Sequence, residues 1–451
     1  MSIGHESGVW PSLGETLHVL TFQGGFNTSV VLVGVTLLGV AAGLVGTFAV
    51  LRRRALMSDT LSHATLPGIT LAFIVAVMLG ASGRSLPVLL AGAALSGILG
   101  VLTVQFISRH TRLPEDAAMG AVLSVFFGLG FVMLSYIQTM ATGEQGGIGK
   151  FIYGQTATMG VTDATVIGIV ALGTTLASLL LFKEFRLVCF DPDYATVLGW
   201  RISLIDLAMM ALVVAVTVVG LRAVGLILVI ALVVIPPAAA RFWTERLWVM
   251  AVVAALLGGL SGYLGAAASA LFPRFPAGGI IVLVAGFFFL LSLLFAPARG
   301  VLAAGFRQLR LRRDIASQHL LRGLFEAGEA GGGEVVPAAA LRSRVHGPAA
   351  RLALARLTWQ GLIARRPDGL RLTPKGREEA LRITRNHRLW EQFLMAYADL
   401  APSHVDHSAD LVEHVLSSDM VEELERQLKA RGRLPRHAGP PPSPHPLASG
   451  A

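Results

Sequence analysis

The sequence has little charge and almost no cysteine. Only 14% of its 451 residues are charged and 54% are hydrophobic, whereas about a quarter of the residues of a typical soluble domain are charged. This composition excludes an ordinary soluble protein and indicates a membrane protein. The only cysteine is Cys189, so the chain has neither a disulfide framework nor a cluster of thiolate metal ligands.

Two further signals are missing. Residues 1–25 contain Glu6 and Glu15 and lack a basic start followed by an apolar core, so we expect no cleavable signal peptide. The glycine-rich segment 146–150 lacks the long spacing and the Ser or Thr of a phosphate-binding loop. We therefore expect that the chain is not an enzyme and hydrolyses no ATP by itself.

Charge is distributed unevenly along the chain. Residues 1–300 contain 15 Lys and Arg against 12 Asp and Glu, and residues 301–451 contain 22 against 16. The first region is charge-poor, and the second has an ordinary soluble composition. The sequence predicts an all-α polytopic membrane domain at 26–300, followed by a small α+β winged-helix and a helical dimerisation domain. The chain is expected to begin with an extracytoplasmic segment at 1–25, followed by the membrane domain at 26–300 and a basic cytoplasmic linker at 301–313. A winged-helix-like domain at 314–381 and a metal-binding or dimerisation-like helical domain at 382–445 come next. Residues 446–451 are expected to be a disordered end.

The membrane domain is expected to contain about nine transmembrane helices, because nine apolar stretches approach the roughly 20 residues needed to cross a bilayer. Ten Lys and Arg of the connecting loops fall on one side and four on the other. The richer side faces the cytoplasm, so we expect a multi-pass protein of the bacterial inner membrane with a cytoplasmic C-terminal domain. The apolar stretches lie near 26–50, 61–80, 86–107, 117–140, 161–182, 203–221, 224–240, 247–271 and 279–296.

Asp59 and His63 are the most informative residues of the membrane domain. They lie four residues apart, on one helix face, at or within a membrane span, where ionisable groups are costly and usually mark a pathway. A carboxylate and an imidazole at this spacing can bind one divalent cation together. Pro67 follows and would free a backbone carbonyl. The alternative is that Asp59 caps the helix and His63 meets a neighbouring carbonyl.

Five segments in order resemble the permeases of manganese, zinc and iron ABC importers. The resemblance covers about residues 26–300 and implies a homodimeric or pseudo-dimeric pore lined by Asp59 and His63. It also implies a separate cytoplasmic ATPase that supplies ATP, and an extracytoplasmic metal-binding lipoprotein or periplasmic protein. The substrate would be Mn, Zn or Fe, with no covalently bound cofactor. The matching segments are 46–68, 115–120, 190–199, 224–241 and 278–297.

A second polar element follows the fifth apolar stretch. Pro192 in a first turn and Gly199 at the end predict a short helix in a cytoplasmic loop. Such a loop can simply connect two spans. The family resemblance implies instead that it is the coupling helix that contacts the ATPase, through Asp191, Asp193, Ala195 and Gly199.

The C-terminal domain begins with the pattern of a winged helix. Three short helices are predicted in 314–381, and segment 363–373 reads as strand, turn and strand. Four leucines fit a buried helix face. They are Leu352, Leu354, Leu357 and Leu362.

The end of the chain contains a candidate metal site. Asp410, Glu413 and His414 lie at i, i+3 and i+4 on one predicted helix face; the alternative is a solvated polar face. Segments 372–376, 387–391 and 413–414 resemble the manganese- and iron-dependent repressors related to the diphtheria-toxin repressor. The resemblance implies a metal site at His387, Asp410, Glu413 and His414. The ligands that the family supplies from its first helix are absent, because Gln318 and Leu321 fall near those places.

The sequence thus predicts a metal-ion permease with a regulatory domain. Beyond the ATPase and the extracytoplasmic protein, we expect contact with membrane lipid and a second copy of the chain, and no binding to DNA. One alternative is a membrane-anchored, metal-dependent transcription regulator, in which residues 301–451 would retain specific DNA. Another is an ATP-independent secondary metal transporter, although the chain of buried acidic residues that such carriers need is not evident.

Overall fold

The computed structural model describes residues 12–52, 54, 56–83, 85–140, 156, 159–272, 275–331, 335–337, 348–397, 418–430 and 441. The chain divides into two units, residues 1–303 and 304–451, which we call the membrane unit and the tail. The predicted segments 146–150 and 446–451 lie outside the described residues, as do Asp410, Glu413 and His414.

Helices make up the described part of the membrane unit. They are α1 (Leu13–Leu20), α2 (Phe26–Leu51), α3 (Met57–Ala64), α4 (Leu66–Met78), α5 (Leu86–His110), α6 (Glu115–Thr139), α7 (Val161–Leu180), α8 (Phe182–Phe190), α9 (Pro192–Val197), α10 (Ile202–Val224), α11 (Leu226–Arg241), α12 (Leu247–Leu271) and α13 (Ala277–Phe295).

Eight helical segments of the described residues are long and apolar enough to cross a membrane, and α3 and α4 together form one of them, Met57–Met78. These eight correspond to eight of the nine predicted stretches. The stretch 224–240 differs, because α11 is only 16 residues long and contains Pro236 and Pro237. The prediction of an all-α, multi-pass membrane unit is confirmed.

Small residues bring α2 and α12 into close contact. A Cβ atom on Gly39 would lie 2.2 Å from the carbonyl oxygen of Gly258, and one on Gly258 would lie 2.1 Å from the carbonyl oxygen of Gly39. Gly43 meets the carbonyl oxygen of Ala254 in the same way, at 2.2 Å. Small residues at these positions therefore let the two helices pack tightly.

The tail combines helices with a small sheet. Its described elements are α14 (Val301–Gly331, which begins at the end of the membrane unit), β1 (Val335–Val336), α15 (Pro348–Trp359), β2 (Ile363–Arg366), β3 (Gly369–Leu372), α16 (Pro374–Tyr397) and α17 (Ser418–Ala430). The strands form an antiparallel sheet in the order β1-β3-β2, and Ile363 pairs with Leu372. The predicted hairpin is confirmed.

A hydrophobic core holds this sheet against the helices of the tail. Leu324, Leu357, Ile363 and Leu370 are buried in it. The expectation for Leu352 was wrong, because its side chain is 52% exposed. The sheet and its flanking helices agree with a regulator-like domain.

Candidate ion pathway, coupling helix and tail site

The carboxylate of Asp59 and the imidazole of His63 lie side by side on α3. Asp59 Oδ1 is 3.6 Å from His63 Nε2, and the side chains are 39% and 22% exposed. The other residues of α3 are buried. The helix therefore packs inside the unit on every side except the one that carries this pair.

The surroundings of His63 leave one ring nitrogen without a hydrogen bond. Nδ1 is buried and has no hydrogen-bond partner among the described residues, and the edge of the ring meets Phe127, with centroids 4.9 Å apart. Pro67 has no N–H to donate to the carbonyl of His63, four residues earlier. The pair thus offers a carboxylate oxygen and an imidazole nitrogen, two donors that divalent transition metals accept.

The described residues of one chain supply only part of a cation site. Metal sites in proteins usually have four or more ligands. Within the described ranges, no group of three or more His, Cys, Asp and Glu side chains is placed to hold a metal ion.

The predicted coupling element forms the helix α9. Asp191 caps its first turn, since Oδ1 accepts a hydrogen bond from the backbone N–H of Tyr194 at 2.9 Å. At the other end, the N–H of Trp200 donates to the carbonyl of Ala195 at 3.0 Å, and Gly199 adopts a φ of +80°. Glycine ends the helix because other residues rarely adopt this backbone conformation.

Most of the large exposed side chains on α9 and at its ends are apolar. Ala195 is fully buried, so this predicted coupling residue anchors the helix to its own unit, whereas Val197 is 83% exposed. Several exposed apolar side chains close together in the sequence are typical of a protein-binding surface. This set, the α9 surface, consists of Phe190, Tyr194, Val197, Leu198 and Trp200.

A buried ionic cluster lies beside these elements, and our sequence reasoning missed it. Arg52 Nη2 is 2.8 Å from Asp206 Oδ2, and Arg54 Nε is 2.7 Å from Glu115 Oε1. Asp206 is only 2% exposed. The signal that could have found it is an acidic residue within the apolar stretch 203–221.

The charges of the cluster also act on the thiol of Cys189. Burial on α8, outside the eight candidate spans, raises the pKa of the Cys189 thiol to about 12, against the opposing effect of the Arg52 guanidinium. The thiol is therefore protonated at neutral pH, and a protonated thiol is a poor nucleophile and metal ligand.

In the tail, both ring nitrogens of His387 face charged side chains. Arg322 Nη1 lies 2.6 Å from Nδ1, and Glu391 Oε1 lies 3.2 Å from Nε2. A guanidinium can only donate, so Nδ1 accepts, and the ring proton is on Nε2 and points to Glu391. A ring held in this way presents no free lone pair to a metal ion. Leu321 is buried in the hydrophobic core.

Comparison with known families agrees with both units. The family model of the ABC 3 transport family matches residues 27–296. The chain belongs to this family. A second family model, the iron dependent repressor, metal binding and dimerisation domain, matches residues 373–441, which lie in the tail.

Relatives of this ABC 3 family protein differ in how much of it they match. It is 36% identical to the manganese transport system membrane protein MntC of Bacillus subtilis over 412 residues, 91% of this chain and 93% of that protein. It is 42% identical to the zinc transport system membrane protein TroC of Treponema pallidum over 281 residues, 62% of this chain and 93% of that protein. An alignment of 412 residues is longer than the membrane unit, so it extends into the tail.

A solved structure is similar to the membrane unit of this ABC 3 family protein. PsaBC from Streptococcus pneumoniae, solved in complex with Fab, is 27% identical and superposes with a TM-score of 0.55. The match covers 65% of this chain and 100% of that chain. The chain therefore shares its fold with this solved structure over about two thirds of its length.

Proposed function

We propose that this chain is the permease subunit of an ATP-driven importer that carries Mn, Zn or Fe as a divalent ion into the bacterial cytoplasm. Asp59 and His63 bind the ion on its path. The observation that carries the proposal is their placement, 3.6 Å apart, on the one side of α3 that is not buried. The relatives named for manganese and zinc transport support the choice of substrate.

Two copies of the chain complete the pathway. A single Asp59–His63 pair supplies two ligands, whereas a second copy facing the first supplies a matching pair and makes four. Transition-metal ions accept this mixture of carboxylate oxygen and imidazole nitrogen. We therefore place the ion path at the interface of a homodimer, with membrane lipid around it.

The partners follow from the two sides of the membrane unit. A separate ABC ATPase subunit docks on the α9 surface in the cytoplasm and supplies the energy of ATP hydrolysis, so the permease itself is no enzyme. Asp191 and Gly199 hold α9 in shape, Asp193 lies at its exposed start, and Ala195 anchors it. A metal-binding lipoprotein or periplasmic protein delivers the ion from outside, and the inner membrane holds the complex.

The first experiment measures uptake of Mn²⁺ and Zn²⁺ by proteoliposomes that contain the permease, its ATPase and the binding protein. Asp59→Asn keeps the shape and removes the charge, and His63→Ala removes the nitrogen ligand. Because each removes one ligand type from both halves of the site, we expect uptake to fall at least about tenfold while the complex still assembles.

Matched controls are available on the same unit. Asp116→Asn and His110→Ala change an exposed carboxylate and an exposed imidazole and should leave uptake unchanged. Uptake at the normal rate by an assembled Asp59→Asn, His63→Ala double variant would rule out the proposed ion site.

A second proposal concerns the tail, which we expect to slow transport when cytoplasmic metal is plentiful. It is supported by the repressor-type family match at residues 373–441 and by the contacts of His387. A metal ion that binds His387 together with Asp410, Glu413 and His414 must first displace Arg322 from Nδ1. Metal and guanidinium then compete for one ring, which makes two alternative states of the tail.

Variants of Arg322 test this competition in the full complex. Arg322→Gln offers an amide oxygen that accepts a hydrogen bond from an Nδ1–H, which leaves the lone pair of Nε2 available to metal. Inhibition by cytoplasmic Mn²⁺ should then set in at lower concentration. Arg322→Lys keeps a donor-only cation and serves as the matched control. If deletion of 304–451 leaves the metal response unchanged, the tail has no regulatory role.

A further inference from the structure

Arg52 connects elements on both sides of α9. Its Nη1 donates to the carbonyl oxygen of Val188 at 3.2 Å, and its Nη2 donates to Asp206 Oδ2 at 2.8 Å. Val188 lies in the last turn of α8, three residues before the cap of α9, and Asp206 lies near the start of α10. One guanidinium therefore holds both chain segments that flank the short helix.

The same arginine lies next to the helix that carries the candidate ion ligands. Arg52 is the residue directly after α2, and α3 begins five residues later at Met57. A displacement of α9 that moves Val188 or Asp206 thus acts directly on the chain segment that leads to Asp59 and His63.

A second ion pair extends the connection to α6. Arg54 pairs with Glu115 at 2.7 Å and approaches Asp206 at 3.4 Å. Glu115 is the first residue of α6, and Phe127 of the same helix contacts the ring of His63. The cluster therefore reaches the ion site through two helices, α3 and α6.

Burial makes this cluster stiff. The Asp206 side chain is 3% exposed and the Arg54 side chain 10%, and removal of one partner would leave a buried charge without compensation. An exposed ion pair breaks and reforms at little cost, whereas a buried one keeps its two helices together. Two arginines and two carboxylates also balance in charge.

We propose that Arg52 and Asp206 are positioning residues that transmit the movement of α9 to α3, and so couple ATP hydrolysis to release of the ion. The inference rests on the proposed function, because α9 must bind the ATPase and α3 the ion. It adds a buried ionic connection between the two helices, formed by Arg52 and Asp206, which we call the joint. The alternative is a static ion pair that only stabilises the fold.

The test measures metal uptake and ATP hydrolysis together in proteoliposomes of the full complex. Asp206→Asn and Arg52→Gln should lower the number of ions carried per ATP at least fivefold while hydrolysis continues. Arg52→Lys keeps the charge but lacks the fork that bonds two acceptors at once, so its ratio should lie between those of the wild type and Arg52→Gln. Glu245→Gln breaks the exposed pair of Glu245 and Arg299 and should leave the ratio unchanged.

A distance measurement separates the joint from a merely structural role. Spin labels at Leu56→Cys and Thr196→Cys, in a Cys189→Ser background, report the separation of α3 and α9 with and without ATP. The neutral pair Arg52→Gln, Asp206→Asn removes both buried charges and so avoids the cost of an unpaired one. We expect the ATP-dependent change of distance in the wild-type background and its loss in this neutral pair.

The outcomes are distinct. A normal ratio of ions to ATP in the single variants, or an unchanged distance response in the neutral pair, would overturn the joint. A proportional fall of uptake and hydrolysis would also overturn it, because that result indicates loss of folded complex. If the wild-type complex carries no metal, the proposed function fails, yet the distance response still decides whether α9 drives α3.

Discussion

The membrane unit and the tail use their few buried charges in different ways. In the membrane unit, Asp206 and Arg54 are buried near helix ends, and the pair Asp59–His63 keeps some exposure. In the tail, Arg322, His387 and Glu391 are all buried in contact with one another. The difference teaches that the candidate ligands of the membrane unit remain accessible on an otherwise buried helix, whereas the candidate ligand His387 of the tail is buried between charged side chains.

The relatives also differ in which of the two units they match. The alignment with TroC covers 62% of this chain and 93% of that protein, so a zinc transport system membrane protein exists at about the length of the membrane unit. The alignment with MntC covers 91% of this chain. Transport therefore belongs to the membrane unit, and the tail is an addition that some relatives share.

The largest effect is expected from a change in helix packing within the membrane unit. Gly258→Ala places a Cβ atom 2.1 Å from a carbonyl oxygen of α2, so the two helices must separate, at a cost of about 3 kcal/mol or more. The yield of folded protein in size-exclusion chromatography should collapse. Gly286→Ala, on α13 and with nothing within 4 Å of the new Cβ, should behave as wild type.

A substitution in the hydrophobic core of the tail should destabilise the tail and leave transport intact. Leu357 is 2% exposed, and Leu357→Ala should destabilise the tail by about 2–5 kcal/mol through the cavity it creates. Limited proteolysis should then cleave the tail more quickly while uptake without added cytoplasmic metal stays normal. Loss of basal uptake would show that the units are not independent; the exposed Leu352→Ala is the matched control.

The smallest effect is expected at the end of α9. Gly199 has a φ of +80° with open space around it, so Gly199→Val meets no clash but strains the backbone by about 1–3 kcal/mol. Because α9 is short, we expect reduced binding of the ATPase and reduced uptake at a normal protein level. Gly173→Val, on α7 and also in open space, controls for the added side chain; equal behaviour of both variants would make α9 a simple connector.

Much of the fold was accessible from the sequence because membrane spans and hairpins are local patterns. The apolar stretches predicted eight of the helices long enough to cross, and Pro192 with Gly199 predicted the bounds of α9. The stretch 224–240 was the exception, because it is short and contains Pro236 and Pro237, and its helix α11 has only 16 residues. The burial of Leu352 was a second exception, because a leucine periodicity does not show which side of a short helix meets the core.

The ionic cluster was not accessible in this way. Arg52, Glu115 and Asp206 are far apart in the chain, and nothing local indicates that three helix ends meet. Asp206 alone carried a signal, as an acidic residue in an apolar stretch. For Asp59 and His63 the spacing predicted a shared face, which the structure confirms, and their role in binding the ion stays a prediction.

The sequence by itself determined the division into an apolar unit and a charged tail, the type of the helices and the family, because composition, hydropathy and ordered motifs are written along the chain. Tertiary structure decided which charges are paired. It placed Arg322 on His387, whose role as a metal ligand stays a prediction, and it joined Arg52 to both flanks of α9. The physical reason is that the energy of a buried charge depends on its neighbours in space, and helix packing, which local sequence does not specify, selects those neighbours.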